Sequence, residues 1–168
     1  VISAVIAARS LGLRDPRFLF SGPRSIDRTL SKIPDGGGRL VIVDVAVNPD
    51  RVREIGERLG RLRDSGWLIL WMDHHSWPPG AIEALSRYAD IRVRPAPSAA
   101  RIVLEELGGG DYERELAAIA DDADTASYRD ERARLYSALT RDRGKREYLL
   151  RALLDGRLDD AKVRAWAI

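Results

Sequence analysis

The stretch WLILWMDHH, residues 67–75, consists of six uncharged residues followed by an aspartate and both histidines of the chain. A second run, RLVIVD at residues 39–44, also ends on an aspartate. Apolar side chains at successive positions are typical of strands that are covered on both faces, as in a parallel sheet. Between the runs, residues 48–66 carry apolar side chains at helical spacing, with Asn48 as the expected N-cap. Strand, helix and strand in this order predict a βαβ unit.

The rest of the chain continues the alternation and then becomes helical. The other predicted elements are strands over residues 17–20 and 90–96 and helices over 1–12, 98–108, 112–125 and 128–154, the last interrupted near Gly144. We therefore predict an α/β fold with an open, mostly parallel sheet flanked by helices, and a helical C-terminal segment.

Composition limits the function classes. The 28 Lys and Arg nearly balance the 26 Asp and Glu, so charge neither requires nor excludes a nucleic-acid partner. The absence of cysteine excludes disulfides, zinc–thiolate sites and iron–sulfur clusters. No apolar run reaches the roughly 18 residues that a membrane-spanning helix needs. We expect no membrane association and a cytoplasmic location.

Polar side chains follow both strands of the predicted βαβ unit. Asp44 ends the first strand, and Asp73, His74 and His75 end the second. In open parallel sheets, ligands bind beyond the carboxyl ends of the strands. Each residue alone could cap a helix or bond a loop, but the combination favours a functional site. Carboxylates with neutral imidazole suit manganese or magnesium, with zinc or cobalt as competitors.

A third acidic element is AAIADDADTAS, residues 117–127, which places Asp121, Asp122 and Asp124 near the end of a predicted helix. Carboxylates at a helix C-terminus oppose the helix dipole, so this arrangement has a local cost. Metal coordination by at least one aspartate would offset that cost, and so would solvent exposure.

Taken together, the DHH tripeptide at residues 73–75, the VIVD strand at 41–44 and the ADDADT segment at 120–125 resemble the DHH phosphoesterase superfamily. That superfamily includes RecJ-type exonucleases, oligoribonucleases of the nanoRNase type, cyclic-dinucleotide phosphodiesterases and manganese-dependent inorganic pyrophosphatases. The resemblance implies a DHH-type α/β domain over residues 1–127. It also implies a helical extension over 128–168 that connects to a substrate-binding domain.

The resemblance also implies roles for single residues. Asp44 looks like the carboxylate that bridges two Mn²⁺ or Mg²⁺ ions, and His74 looks like an imidazole ligand of one ion. His75 would face the substrate phosphate as a catalytic and substrate-binding group, and Asp73 would orient a histidine. Asp121 would be a further ligand in the RecJ-like form.

Two of these assignments stay open. Asp122 replaces Asp121 as the ligand if the spacing follows the oligoribonuclease form, and Asp124 is a third choice. Ser98 falls where relatives place a small hydroxyl residue at a helix N-terminus, which fits either a phosphate contact or a simple helix cap.

Relatives carry a His-x-Asp-x-Asp-Gly motif directly before a helix similar to residues 1–12, and a C-terminal substrate domain. We expect that motif upstream of Val1 in a longer protein. The alternative is a naturally degenerate, RecJ-like binding module with a protein partner.

The expected function is hydrolysis of phosphodiester bonds in short single-stranded oligonucleotides by a two-metal mechanism. A cyclic-dinucleotide phosphodiesterase or a pyrophosphatase are the other enzymatic alternatives. Trp67 and Trp71 are expected in the core, whereas Trp77 is the tryptophan that could stack on a base.

Overall fold

The computed structural model of the chain describes residues 1–167 and shows an α/β fold around a three-stranded parallel sheet. The strands, in sheet order, are β1 (Gly38–Val43), β2 (Trp67–Asp73) and β3 (Asp90–Val93). The helices of the described residues are α1 (Ile2–Ser10), α2 (Ile26–Ser31), α3 (Val52–Asp64), α4 (Ala81–Leu85), α5 (Ala99–Leu107), α6 (Asp111–Asp124), α7 (Glu131–Leu139), α8 (Arg143–Leu154) and α9 (Ala161–Ala165). The predicted fold class is confirmed.

The chain forms two compact units. The sheet unit, Arg17–Ala96, contains β1 to β3 with α2 to α4, and the helical unit combines Val1–Pro16 with the chain from Pro97 onward. Helices α7 to α9 belong to the same unit as α5 and α6. The boundary predicted at residue 127 was placed by the resemblance of the motifs, and it does not describe how the helices pack. It stays a prediction about which part of the chain carries the function.

The βαβ unit begins as its sequence predicts. The Asn48 side chain accepts a hydrogen bond of 3.0 Å from the Asp50 N–H and opens a 3-10 turn that leads into α3. Ile55, Leu59 and Leu62 recur on one face of α3 and are fully buried. The helix therefore gains its stability from this apolar stripe, which packs in the core of the sheet unit.

The core of the sheet unit lies between one face of the sheet and α2 to α4. Ile42, Ile69 and Trp71 are the buried sheet residues of this core, and Leu30 and Leu85 are among the helical residues that pack with them. Because side chains alternate along a strand, Ile69, Trp71 and Asp73 share one face of β2. The last position of that face is polar, and it begins the candidate site.

A close approach of two loops lets β1 and β2 start side by side. Gly37 has φ +101°, and a Cβ atom there would lie 2.9 Å from the carbonyl oxygen of Gly66. Gly66 itself has φ +113°. Any side chain at Gly37 would push the two loops apart, so this contact needs glycine.

One prediction about secondary structure is wrong. Residues 17–20 form no strand: the segment has no regular secondary structure, and Leu19 and Phe20 are exposed. Its apolar run is only three residues long, and β-propensity without a paired neighbour does not make a strand.

The helix predicted over residues 128–154 is interrupted, as expected, but a few residues before Gly144, and it consists of α7 and α8. It is broken at residues 140–142, where the Asp142 side chain accepts the Lys145 N–H at 3.0 Å and starts α8. Gly144 lies inside the first turn of α8, so the break comes from an aspartate cap and not from the glycine.

Leu62 and Leu68 allow a matched test of the core. Leu62 is fully buried in α3, whereas Leu68 on β2 is 71% exposed. We expect Leu62→Ala to lower the free energy of unfolding by about 2 to 5 kcal/mol because it leaves a cavity. Leu68→Ala should change it by no more than about 0.5 kcal/mol. Urea unfolding followed by circular dichroism measures both, and equal losses would contradict this packing.

In the helical unit, buried Glu113 joins α1 to the start of α6. Its carboxylate accepts hydrogen bonds from Arg9 Nε at 2.6 Å and from the Gly110 N–H at 2.8 Å. Burial alone would raise the pKa of Glu113, but the Arg9 and Gly110 hydrogen bonds more than offset it and lower the pKa. The ionised carboxylate is therefore the form that stabilises the fold.

This lowered pKa predicts a pH dependence. A carboxyl group with a lowered folded-state pKa contributes stability above its ordinary pKa of about 4.3, and loses it as the pH falls through the lowered value. Glu113→Gln should lower the free energy of unfolding at pH 7 by about 1.5 to 3 kcal/mol, the size of a charge-assisted hydrogen bond. Between pH 5 and pH 3 (about the titration range of a carboxyl group), unfolding of the variant should depend less steeply on pH. Parallel unfolding curves for both proteins in that range would refute this role.

Candidate metal centre

Asp44 directly follows β1 and has an unusual backbone conformation. Its φ is +58°, in the left-handed region that residues other than glycine seldom adopt, although aspartate tolerates it better than most. The Asp44 N–H donates to the Met72 carbonyl at 3.1 Å, so the turn is anchored to the end of β2. Held strain of this kind is common at functional sites.

His74 is anchored by backbone on one side of its ring. Its Nδ1 lies 3.2 Å from the Ala96 carbonyl oxygen. A carbonyl only accepts hydrogen bonds, so Nδ1 carries the proton and Nε2 is the acceptor nitrogen of the neutral ring. His74 Nε2 lies 3.5 Å from Asp44 Oδ1.

This pair fits a divalent ion. The Nε2 atom of a neutral imidazole and a carboxylate oxygen are both acceptors, so their approach is favourable only when a proton or a metal ion lies between them. Bonds of about 2.1 Å from one ion to nitrogen and oxygen place the two ligand atoms about 3 to 3.5 Å apart. Histidines that bind metals commonly donate their second N–H to a backbone carbonyl, as His74 does.

Asp73 has a different environment from Asp44. Its side chain is fully buried, Oδ1 lies 2.8 Å from His75 Nδ1, and Oδ2 accepts from Trp77 Nε1 at 2.9 Å. The resemblance implies that Asp73 orients a histidine, and His75 is a histidine that Asp73 contacts. His75 itself is half exposed, with 49% of its side chain accessible.

The four side chains form one cluster. Ligand atoms of Asp44, Asp73, His74 and His75 all lie within 4.8 Å of one another. Each Asp73 oxygen already accepts one hydrogen bond, so an ion there would compete with His75 or Trp77, and Asp44 and His74 are the better candidates as ligands. Three protein ligands are typical of one catalytic ion, so both expected ions need ligands beyond Asp44 and His74.

The structure gives Asp121 partners within the helical unit. Its Oδ1 accepts from the Ser98 hydroxyl at 2.6 Å, and its Oδ2 accepts from both Nε and Nη2 of Arg101, the former at 2.9 Å. A metal ion would compete with the Arg101 guanidinium for this carboxylate. No sequence pattern indicated Arg101 as a partner of Asp121, although its place three residues after Ser98 puts both at the start of α5.

Ser98 caps α5. Its hydroxyl oxygen accepts the Arg101 N–H at 3.1 Å while the hydroxyl proton goes to Asp121. The residue is 1% exposed. The capping interpretation accounts for Ser98, and the phosphate contact stays a prediction.

The acidic end of α6 is satisfied by local donors. Asp122 Oδ2 accepts the Asp130 N–H at 2.8 Å, and the Asp122 carbonyl accepts the N–H groups of Ser127 and Tyr128 at 3.1 and 3.3 Å. Hydrogen bonds to Asp121 and Asp122 therefore offset the local cost that the sequence indicates. Metal ligation by Asp121, Asp122 or Asp124 stays a prediction.

Comparison of the chain with protein-family models, curated proteins and solved structures found no match. In the part of the chain that the structure describes, no helix has the length and apolar character to cross a membrane. Membership of the DHH superfamily therefore stays a prediction that rests on the residues themselves.

The positive φ of Asp44 predicts how substitutions there change the free energy of unfolding. Asp44→Ala places a Cβ without a polar side chain in the left-handed region and should lower the free energy of unfolding by about 1 kcal/mol. Asp44→Gly should be at least as stable as the wild type, because glycine adopts positive φ freely. Thermal unfolding of the two variants measures this order. A more stable alanine variant would rule out strain at this position.

Proposed function

We propose that this chain contains the metal-binding α/β part of a DHH-type phosphoesterase that uses Mn²⁺ or Mg²⁺. The observation that carries the proposal is the 3.5 Å approach of Asp44 Oδ1 and His74 Nε2, with the other His74 nitrogen bound to the Ala96 carbonyl. The preferred substrate class is short single-stranded oligonucleotides. That choice rests on the resemblance of the sequence.

Each side chain of the cluster has a different role in the proposed reaction. Asp44 and His74 hold the ion, and the resemblance assigns a second ion to Asp44 and further ligands. Bound divalent ions supply Lewis acidity to phosphate oxygens and make water a better nucleophile. The exposed His75 ring contacts a phosphoryl oxygen or gives a proton to the leaving oxygen. Asp73, which bonds His75 Nδ1, stabilises the positive charge that the ring carries before it gives up that proton.

A second candidate function is a binding module that does not catalyse. The contact that favours it is the ion pair between Arg101 and Asp121, because the guanidinium already neutralises a carboxylate that the enzyme would use for metal. Such a module would bind oligonucleotide or protein without hydrolysis. Cyclic dinucleotides and pyrophosphate remain alternative substrates of the enzymatic function.

Metal binding tests the proposal directly. Manganese titration, followed by electron paramagnetic resonance of free Mn²⁺, should show binding to the wild-type chain. Asp44→Asn and His74→Ala should each weaken it by more than about 100-fold, because removing a ligand exceeds the effect of an outer partner. Asp64→Asn is the matched control, since Asp64 is 69% exposed and contacts Arg63. Equal affinities for Asp44→Asn and Asp64→Asn would exclude this site.

Hydrolysis separates the two candidate functions. The chain, or a longer protein that contains it, is incubated with Mn²⁺ and a five-nucleotide RNA, a cyclic dinucleotide or pyrophosphate. The enzymatic proposal expects cleavage of the RNA that disappears in Asp44→Asn and His74→Ala. Manganese and RNA binding without cleavage of any substrate would favour the binding module.

A further inference from the structure

Trp77 lies close to the cluster, but not as an exposed surface for base stacking. Its ring packs edge-on against Trp71, with centroids 4.8 Å apart and an interplanar angle of 70°. Its indole N–H donates to Asp73 Oδ2 at 2.9 Å. The ring and its one polar atom are therefore both engaged within the sheet unit.

We infer that Trp77 is a positioning residue for His75. Trp77 fixes the Asp73 carboxylate, and the carboxylate holds the His75 ring with its proton on Nδ1. The other ring nitrogen, Nε2, is then left to face the substrate phosphate. The contacts among Trp77, Asp73 and His75 do not depend on the proposed function. The role of His75 Nε2 toward a substrate phosphate does rest on it.

The first step of the inference is the burial of Asp73. A fully buried carboxylate has no water to bond, so protein donors must satisfy it. Two donors are divided between the two oxygens, with His75 on Oδ1 and Trp77 on Oδ2. Two donors on opposite oxygens fix the rotation of the carboxylate about its own axis, which a single donor would leave free.

The second step concerns the proton of His75. An indole nitrogen can only donate, and an ionised carboxylate can only accept. Ionised Asp73 therefore requires the proton of His75 on Nδ1, at 2.8 Å. The same contact sets the ring plane, and the half-exposed ring presents Nε2 as its second nitrogen.

The third step is the support of Trp77 itself. Trp71 is fully buried and donates its indole N–H to the Val45 carbonyl at 3.0 Å. Val45 follows Asp44, so Trp71 is fixed to the turn that carries the candidate metal ligand. Trp77 packs against this fixed ring, and its N–H is thereby held in line with Asp73.

The test replaces the indole by a ring without a donor. In Trp77→Phe, nitrogen-15 spectra of the two imidazoles, recorded without metal at a pH where both rings are neutral, should show loss of the single Nδ1–H form of His75. A mixture of both tautomers, or exchange broadening of the His75 nitrogens, is expected. Trp67→Phe is the matched control. It also loses an indole hydrogen bond of 3.0 Å, here to the Pro34 carbonyl, and should leave His75 unchanged.

A second variant keeps the test decisive if Trp77→Phe does not fold. Benzothienylalanine at position 77 retains the size of the bicyclic ring and replaces the N–H group by sulfur. It should preserve the fold and still release the His75 tautomer. An unaltered Nδ1–H signal in either folded variant overturns the inference.

The outcome is independent of the proposed function. Trp77 donates to neither Asp44 nor His74, so the Mn²⁺ affinity of Trp77→Phe should match that of the wild type. If hydrolysis is found, kcat should fall by about 10-fold to 100-fold, as for other residues that orient a catalytic group. A changed tautomer without Mn²⁺ binding to the wild type refutes the proposed function alone. An unchanged tautomer with normal Mn²⁺ binding refutes the role of Trp77 alone.

Discussion

The candidate site depends on the register of two parallel strands. Val43 is paired with Met72, and the Asp44 N–H extends the ladder to the Met72 carbonyl. The strands therefore end at the same level, and the residues that follow them meet. A shift by one residue would turn Ile69, Trp71 and Asp73 out of the core, so the buried indole and the buried carboxylate oppose any slip. The apolar face of the sheet unit and its polar edge are set by this one pairing.

Asp73 and Asp44 lie at the same edge of the sheet but differ in burial and in hydrogen-bond partners. Asp73 is fully buried, and each of its oxygens accepts a hydrogen bond within the protein. Asp44 is 39% exposed and faces a histidine nitrogen at 3.5 Å. A carboxylate whose lone pairs are taken by neutral donors orients its partners, whereas one that faces another acceptor favours the binding of a cation.

Local sequence patterns predicted much of the fold and half of the site. The βαβ unit, the Asn48 and Ser98 caps and the meeting of Asp44 with His74 all follow from apolar periodicity and strand ends, which are short-range information. The coil at residues 17–20 was missed, and the helix break expected near Gly144 lies at residues 140–142, because pairing and capping there compete with propensity. The Arg101 contact with Asp121, and the bond from Trp77 to Asp73, depend on side chains that only the folded backbone brings together.

Asp44, Asp73 and Asp121 differ in the partners that their carboxylates already have. Asp121 is paired with the Arg101 guanidinium and accepts a hydrogen bond from Ser98, whereas Asp73 accepts hydrogen bonds from Trp77 and His75. Asp44 Oδ1 instead faces an imidazole nitrogen, that of His74, at 3.5 Å. An ion at Asp121 would have to compete with the Arg101 guanidinium, whereas Asp44 Oδ1 faces a group that would itself be a ligand. In the proposed function, the first metal ion would therefore bind at the end of β1 and β2, and occupation of Asp121 would follow only where its binding exceeds the strength of the Arg101 pair.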